Sequence, residues 1–153
     1  MSRQRILITG GAGFIGSHLA TRLVKEGHDV VVLDNLLRGN KIPTNILKKL
    51  KFIHGDVRKK QDVREAIEGC DTVYHFAAVL GVDVVADNPV ETMETEIFGL
   101  KNITDLCIGK GIQKLIYSST SGVYGHSAIE KSFTEVIQLD PRTSYAIAKR
   151  YNE

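Results

Sequence analysis

The chain has 153 residues, 42% hydrophobic and 25% charged, the profile of one globular domain with a real core. Twenty basic residues stand against 18 acidic ones, and a net charge of +2 gives no reason to expect nucleic acid or an anionic membrane as partner. Cys70 and Cys107 lack metal-ligand spacing and read as reduced thiols of a cytoplasmic protein, with no metal site expected. The apolar run after Arg3 and Arg5 stops at Gly10, too short for a signal peptide, and no uncharged run is long enough for a membrane span.

The first predicted strand covers 5–9 and runs into Thr9-Gly10-Gly11-Ala12-Gly13-Phe14-Ile15-Gly16. A helix follows over 14–26, with Phe14, Ile15, Leu19, Leu23 and Val24 on one face and Gly27 as its stop. Residues 29–34 form the second strand, and 38–50, with Gly39, Asn40 and Pro43, a loop with a short helix near 44–50. Then come a strand at 51–54, a helix at 60–68 ended by Gly69, a strand at 72–77, a helix at 89–109 and a strand at 113–118. A last helix begins near Thr143 or Ser144, either of which could cap it. Alternating β and α elements predict a doubly wound parallel sheet with helices on both faces, in strand order 3-2-1-4-5.

The glycine-rich turn between first strand and first helix has the spacing that cradles a dinucleotide. Gly10 lets the chain turn sharply, Gly13 lets backbone approach a pyrophosphate, and Gly16 allows close helix–strand packing. The helix N-terminus then offers N–H groups and partial positive charge to the phosphates. Asp34 ends the second strand, where a carboxylate accepts hydrogen bonds from ribose hydroxyls and repels a 2′-phosphate. Arg38 lies close enough to pair with a phosphate, but the carboxylate at the strand end outweighs a loop arginine. NAD is expected over NADP.

Tyr145 and Lys149 stand four apart on the last helix and so share a face. A phenol with a pKa of roughly 10 is a poor base at neutral pH. A neighbouring ammonium and a cationic nicotinamide ring favour the phenolate, and reaching pH 7 takes about 4 kcal/mol of differential stabilisation. The fifth strand ends in Tyr117-Ser118-Ser119-Thr120-Ser121-Gly122-Val123-Tyr124-Gly125, where a hydroxyl such as that of Thr120 can hold a substrate oxygen.

Together with Asp34-Asn35-Leu36, Gly55-Asp56-Val57 and His75-Phe76-Ala77-Ala78, these motifs make the chain similar to the N-terminal half of an extended short-chain dehydrogenase/reductase. It resembles the NAD-dependent nucleotide-sugar epimerase/dehydratase family over essentially its whole length, which implies a Rossmann fold. The resemblance implies that Phe14 and Ile15 offer N–H groups to the pyrophosphate while Asp34 and Asn35 hold the adenosine ribose. Asp56 and Val57 would border the adenine, and Phe76, Ala77 and Ala78 would pass beneath the cofactor. Thr120 would bind the sugar hydroxyl, Tyr145 would remove its proton, and Lys149 would hold the nicotinamide ribose. The implied reaction is epimerisation through a transient ketone, by an enzyme that forms a homodimer.

Two departures from the family pattern bear on this. Ser121 and Gly122 stand where dehydrating or decarboxylating members carry an acid, which places epimerisation ahead of elimination. Glu96 stands where the family usually has Asn, and would put negative charge near the cofactor or face solvent. His75 reads as a packed strand-end histidine. The alternatives are a dehydratase or decarboxylase, an NAD(P)-dependent sugar or aldehyde reductase, and a dinucleotide-binding protein without chemistry, which would not be expected to keep both Tyr145 and Lys149. Residues 1–153 are expected to form a dinucleotide-binding domain that is incomplete at its C-terminus, lacks the substrate region and does not turn over a sugar by itself.

Overall fold

A computed structural model describes residues 2–79, 81–128 and 134–153. The residues fall into two compact units, one of Met1–Ala77 with Gly99–Tyr117, the other of Ala78–Phe98 with Ser118–Glu153.

The first unit is built on five parallel strands, β1 (Arg5–Thr9), β2 (Asp29–Asp34), β3 (Lys51–His54), β4 (Thr72–His75) and β5 (Lys114–Tyr117). Their order is β3-β2-β1-β4-β5, the doubly wound arrangement that the alternation predicts. Because side chains alternate across a strand, each strand feeds two cores. Leu7, Val31, Leu33, Ile53 and Val73 pack on one face with Val63 and Ile67, and with Ile103 and Leu106. Ile6, Ile8, Val30 and Val32 pack on the other with Ala20, Leu23, Ile42 and Ile46. The helices behind the first core are α3 (Lys60–Ala66) and the C-terminal part of α5 (Pro89–Lys110); behind the second lie α1 (Phe14–Lys25) and α2 (Thr44–Leu47). Val30 to Leu33 are wholly buried, each worth about 1.5–3 kcal/mol, which explains why β2 is a continuous apolar run.

Boundaries differ from the sequence reading for identifiable reasons. The fourth strand stops at His75 rather than 77, because β1 ends at Thr9 and Gly10 turns away to bond the Leu33 carbonyl. Phe76 N–H still reaches the Thr9 carbonyl, but Ala77 N–H finds only the Thr9 hydroxyl, at 3.3 Å. The fifth strand loses one residue at each end, and the helix expected at 60–68 ends at Ala66, ahead of Gly69 at φ +68°. The short helix of the 38–50 loop is a single turn, Thr44–Leu47, while α5 runs one residue further than expected.

The second unit contains α4 (Val82–Asp87), α5 up to Phe98, a 3-10 segment (Ser121–Ala128) and α6 (Ser144–Asn152). The sequence reading has neither α4 nor the 3-10 segment, since both are too short to show a helical period. Thr143 caps α6 by accepting from Ala146 N–H at 3.1 Å. Among the described residues no helix is long and apolar enough to cross a membrane.

Candidate active site

In the first unit the predicted cofactor residues gather at the carboxyl ends of β1 to β4. Gly10 has φ +67°, and a Cβ there would come within 2.7 Å of the Ala77 nitrogen. A Cβ on Gly16 would meet the Gly10 carbonyl oxygen at 2.4 Å. Only glycine fits either place. Helix α1 starts from Gly13 with no side-chain cap and no acidic residue in its first turn. The first N–H groups of a helix, here from Phe14 onward, have no intrahelical acceptor. The cradle therefore fits a pyrophosphate in both shape and charge.

Asp34 lies at the end of β2, half-buried. Its Oδ2 accepts from Ala12 N–H at 2.9 Å and its Oδ1 from Leu36 N–H at 2.8 Å. The carboxylate thus ties the glycine turn to the following loop, a structural duty that the sequence reading did not give it. Each oxygen keeps a further lone pair, so the geometry also suits a pair of ribose hydroxyls. Asn35 accepts from Leu37 N–H, and Arg38 is exposed in the turn that follows. Asp56 is clasped by Arg58 at 2.7 Å; burial raises its pKa, but the Arg58 hydrogen bonds and charge outweigh this and hold it below the usual carboxylate range. Val57 is buried, and Asn102 donates to its carbonyl at 3.0 Å and to that of Arg58 at 2.9 Å. Asn102 thereby fixes the segment after β3, and no motif marks it. His75 is fully buried, its Nδ1 2.7 Å from the Thr9 hydroxyl and its ring stacked on Tyr117.

The second unit brings Thr120, Tyr145 and Lys149 into one compact body, and holds Ala78 as well. Thr120 opens the 3-10 segment: its hydroxyl accepts from Gly122 N–H at 3.2 Å and its carbonyl from Val123 N–H. Lys149 is completely buried, its ammonium donating to the Ser118 carbonyl at 3.0 Å and lying 5.4 Å from the Tyr145 ring centre. The half-buried Tyr145 lines a cavity of about 490 Å³ with Val79, Val82, Val85, Pro89 and Arg142.

Glu96 neither faces solvent nor stands apart. It is fully buried, with Oε2 3.0 Å from the Lys149 ammonium and Oε1 accepting from Val79 N–H at 3.0 Å. This corrects the electrostatics expected of the pair. Burial, reinforced by the Glu96 charge, pushes the Tyr145 phenol up to about 12, away from neutrality. The ammonium that should favour the phenolate is already matched by a carboxylate. Burial likewise raises Glu96 itself, though Lys149 and the Val79 N–H pull the other way.

A doubly wound sheet with a glycine cradle, an acidic strand end and a helical Tyr–Lys pair defines a dinucleotide-binding protein of the short-chain dehydrogenase type. Residues 6–153 match the NAD dependent epimerase/dehydratase family, and the chain belongs to it. It is 42% identical over 124 residues to the UDP-N-acetyl-alpha-D-glucosaminuronate decarboxylase of Bacillus cytotoxicus, covering 80% of this chain and 38% of that protein. It is 35% identical to a putative UDP-glucose 4-epimerase of Methanocaldococcus jannaschii, over 97% of this chain and 48% of that one. Among solved structures, the UDP-glucose 4-epimerase of Thermus thermophilus in complex with NAD matches with a TM-score of 0.85 and 34% identity, over 97% of this chain and 48% of that one. The chain spans about half the length of these relatives, or less.

Proposed function

We propose that this chain carries the NAD-binding and proton-transfer machinery of a nucleotide-sugar epimerase that works by transient oxidation of a sugar hydroxyl. The observation that carries this reading is the Tyr145–Lys149 pair, with the phenol on a cavity of about 490 Å³ and the ammonium anchored on the Ser118 carbonyl. NAD, when bound, supplies the hydride acceptor and a positive ring that favours the phenolate. The α1 N-terminus holds the pyrophosphate, Asp34 and Asn35 the adenosine ribose, Asp56 and Val57 the adenine edge, and Phe76 to Ala78 the floor. Thr120 orients the sugar hydroxyl, Tyr145 takes its proton, and Lys149 binds the nicotinamide ribose. Loss of that proton together with hydride from the same carbon would leave a ketone, and reversal of both transfers on its other face would give the epimer with no net use of NAD. A homodimer belongs to this reading, and sedimentation equilibrium tests it.

The name of the Bacillus relative favours a second reading, decarboxylation of a nucleotide-linked uronate. Against it, Ser121 and Gly122 offer no acid ahead of Val123, and both are exposed. Incubation of a full-length enzyme that carries residues 1–153 with NAD and UDP-glucose, UDP-N-acetylglucosamine or UDP-glucuronate, followed by NMR, separates the outcomes. An epimer without NADH is expected; released carbon dioxide would favour the second reading, and accumulating NADH a reductase. In that full-length enzyme Tyr145→Phe should abolish turnover and Thr120→Ala should cost less, since it removes one hydrogen bond and not the proton acceptor. If Tyr145→Phe keeps more than about a tenth of kcat, another group is the base.

A further inference from the structure

Glu96 is a fully buried carboxylate that this chemistry does not use. Its carboxylate spans two segments of its unit, bonding the Val79 N–H with one oxygen and facing Lys149 with the other, each at 3.0 Å. Its own backbone carbonyl is held by Asn152 Nδ2 at 3.0 Å, so α5 and α6 are clamped together around it. Both side chains are at most 1% exposed, so bulk solvent screens the pair little. The other charged groups near Tyr145 are differently placed. Arg142, on the same cavity, is held by Asp140 at 2.8 Å; Asp83 and Asp87 on α4 are exposed; Glu153 is taken by Ser119 and Arg150.

We propose that Glu96 is a positioning residue which holds the Lys149 ammonium from the α5 side and offsets its field at the phenol, setting proton transfer by Tyr145 to a more alkaline range than a neutral residue at 96 would give. The inference rests on the reading of Tyr145 as base, and on a geometry in which one ammonium lies 3.0 Å from a carboxylate and 5.4 Å from the centre of the phenol ring. The high phenol pKa agrees with it.

Glu96→Gln is the direct test, because the amide oxygen can still accept from Val79 N–H while the charge is gone. With ¹³Cζ-labelled tyrosine, Tyr145 is the one resonance of five that Tyr145→Phe removes. At pH 10.5 its phenolate-to-phenol ratio should rise about tenfold in Glu96→Gln, a shift of about one unit for loss of one nearby charge. In the full-length enzyme the acid limb of the kcat profile should move down by a similar amount. An unchanged ratio in folded Glu96→Gln overturns the proposal, as does a loss of kcat at all pH values without movement of the limb. Glu96→Asn supplies the same neutral comparison should the Gln variant not fold. A shifted ratio in a protein whose Tyr145→Phe variant keeps its turnover supports the electrostatic role of Glu96 and sinks the base assignment instead.

Discussion

Lys149 and Glu96 are buried 3.0 Å apart, where each charge helps to offset the burial of the other. Removing one partner of such a pair costs about 3–5 kcal/mol, whereas replacing both with apolar groups of similar volume is often neutral. Glu96→Ala should therefore lower the unfolding free energy by about that amount, and Glu96→Leu combined with Lys149→Met should recover most of it in urea denaturation. A double variant as unstable as the single one would mean that the pair also holds the fold by shape. Tyr145 gives a second test through pH. Its folded pKa, about 12, lies above the ordinary value of 10.0, so the folded state keeps the proton longer. The stabilisation is complete below pH 10 and is lost as pH rises towards 12. Wild type should lose more stability than Tyr145→Phe as pH rises from 9 to 11, as read by denaturation midpoints.

The ends of elements are where single atoms decide the local fold. Gly125 has φ +53°, and a Cβ there would sit 1.7 Å from the Asp140 carbonyl oxygen, which is backbone and cannot swing aside. The 3-10 segment that begins beside Thr120 is pinned at this point, with Asp140 N–H on the Val123 carbonyl. In the full-length enzyme Gly125→Ala should therefore reduce kcat by about tenfold or more through displacement of the Thr120 hydroxyl, while NAD affinity changes little. Thr143→Ala removes the side-chain cap of α6 and should cost about 1 kcal/mol, measurable in the same denaturation experiment. A loss well beyond that would show that Thr143 does more than cap the helix.

For the whole molecule, the proposed function puts cofactor preference on residues of the first unit and chemistry on those of the second. Titration should show tighter binding of NAD than of NADP, because a 2′-phosphate brought to Asp34 meets a carboxylate. Asp34→Asn should narrow the gap, since it removes the charge and keeps one acceptor for the backbone. Asp34→Ala should weaken both cofactors, because the bonds from Ala12 and Leu36 N–H go with the side chain. Equal or tighter binding of NADP by the wild type would refute the assignment.

The strand order, the two cores and the glycine cradle follow from local pattern. Short continuous apolar runs, helices stopped by glycine, and a turn that only glycine can make are all properties of neighbouring residues, which a chain displays before it folds. The Tyr145–Lys149 spacing belongs to the same class, because one helical turn brings both side chains to one face. Other features depended on residues far apart in sequence. Glu96 meets Lys149 across 53 positions, and nothing next to either residue signals the pairing. Both readings left open for that carboxylate were local ones, and neither included an ammonium arriving from α6. Asn102 reaches the Val57 carbonyl in the same way, and α4 takes a helical form too short to show a period. Periodicity records which face of an element is buried. Which charges then share a dry interior, and so where a phenol titrates, is decided only when distant segments close around them.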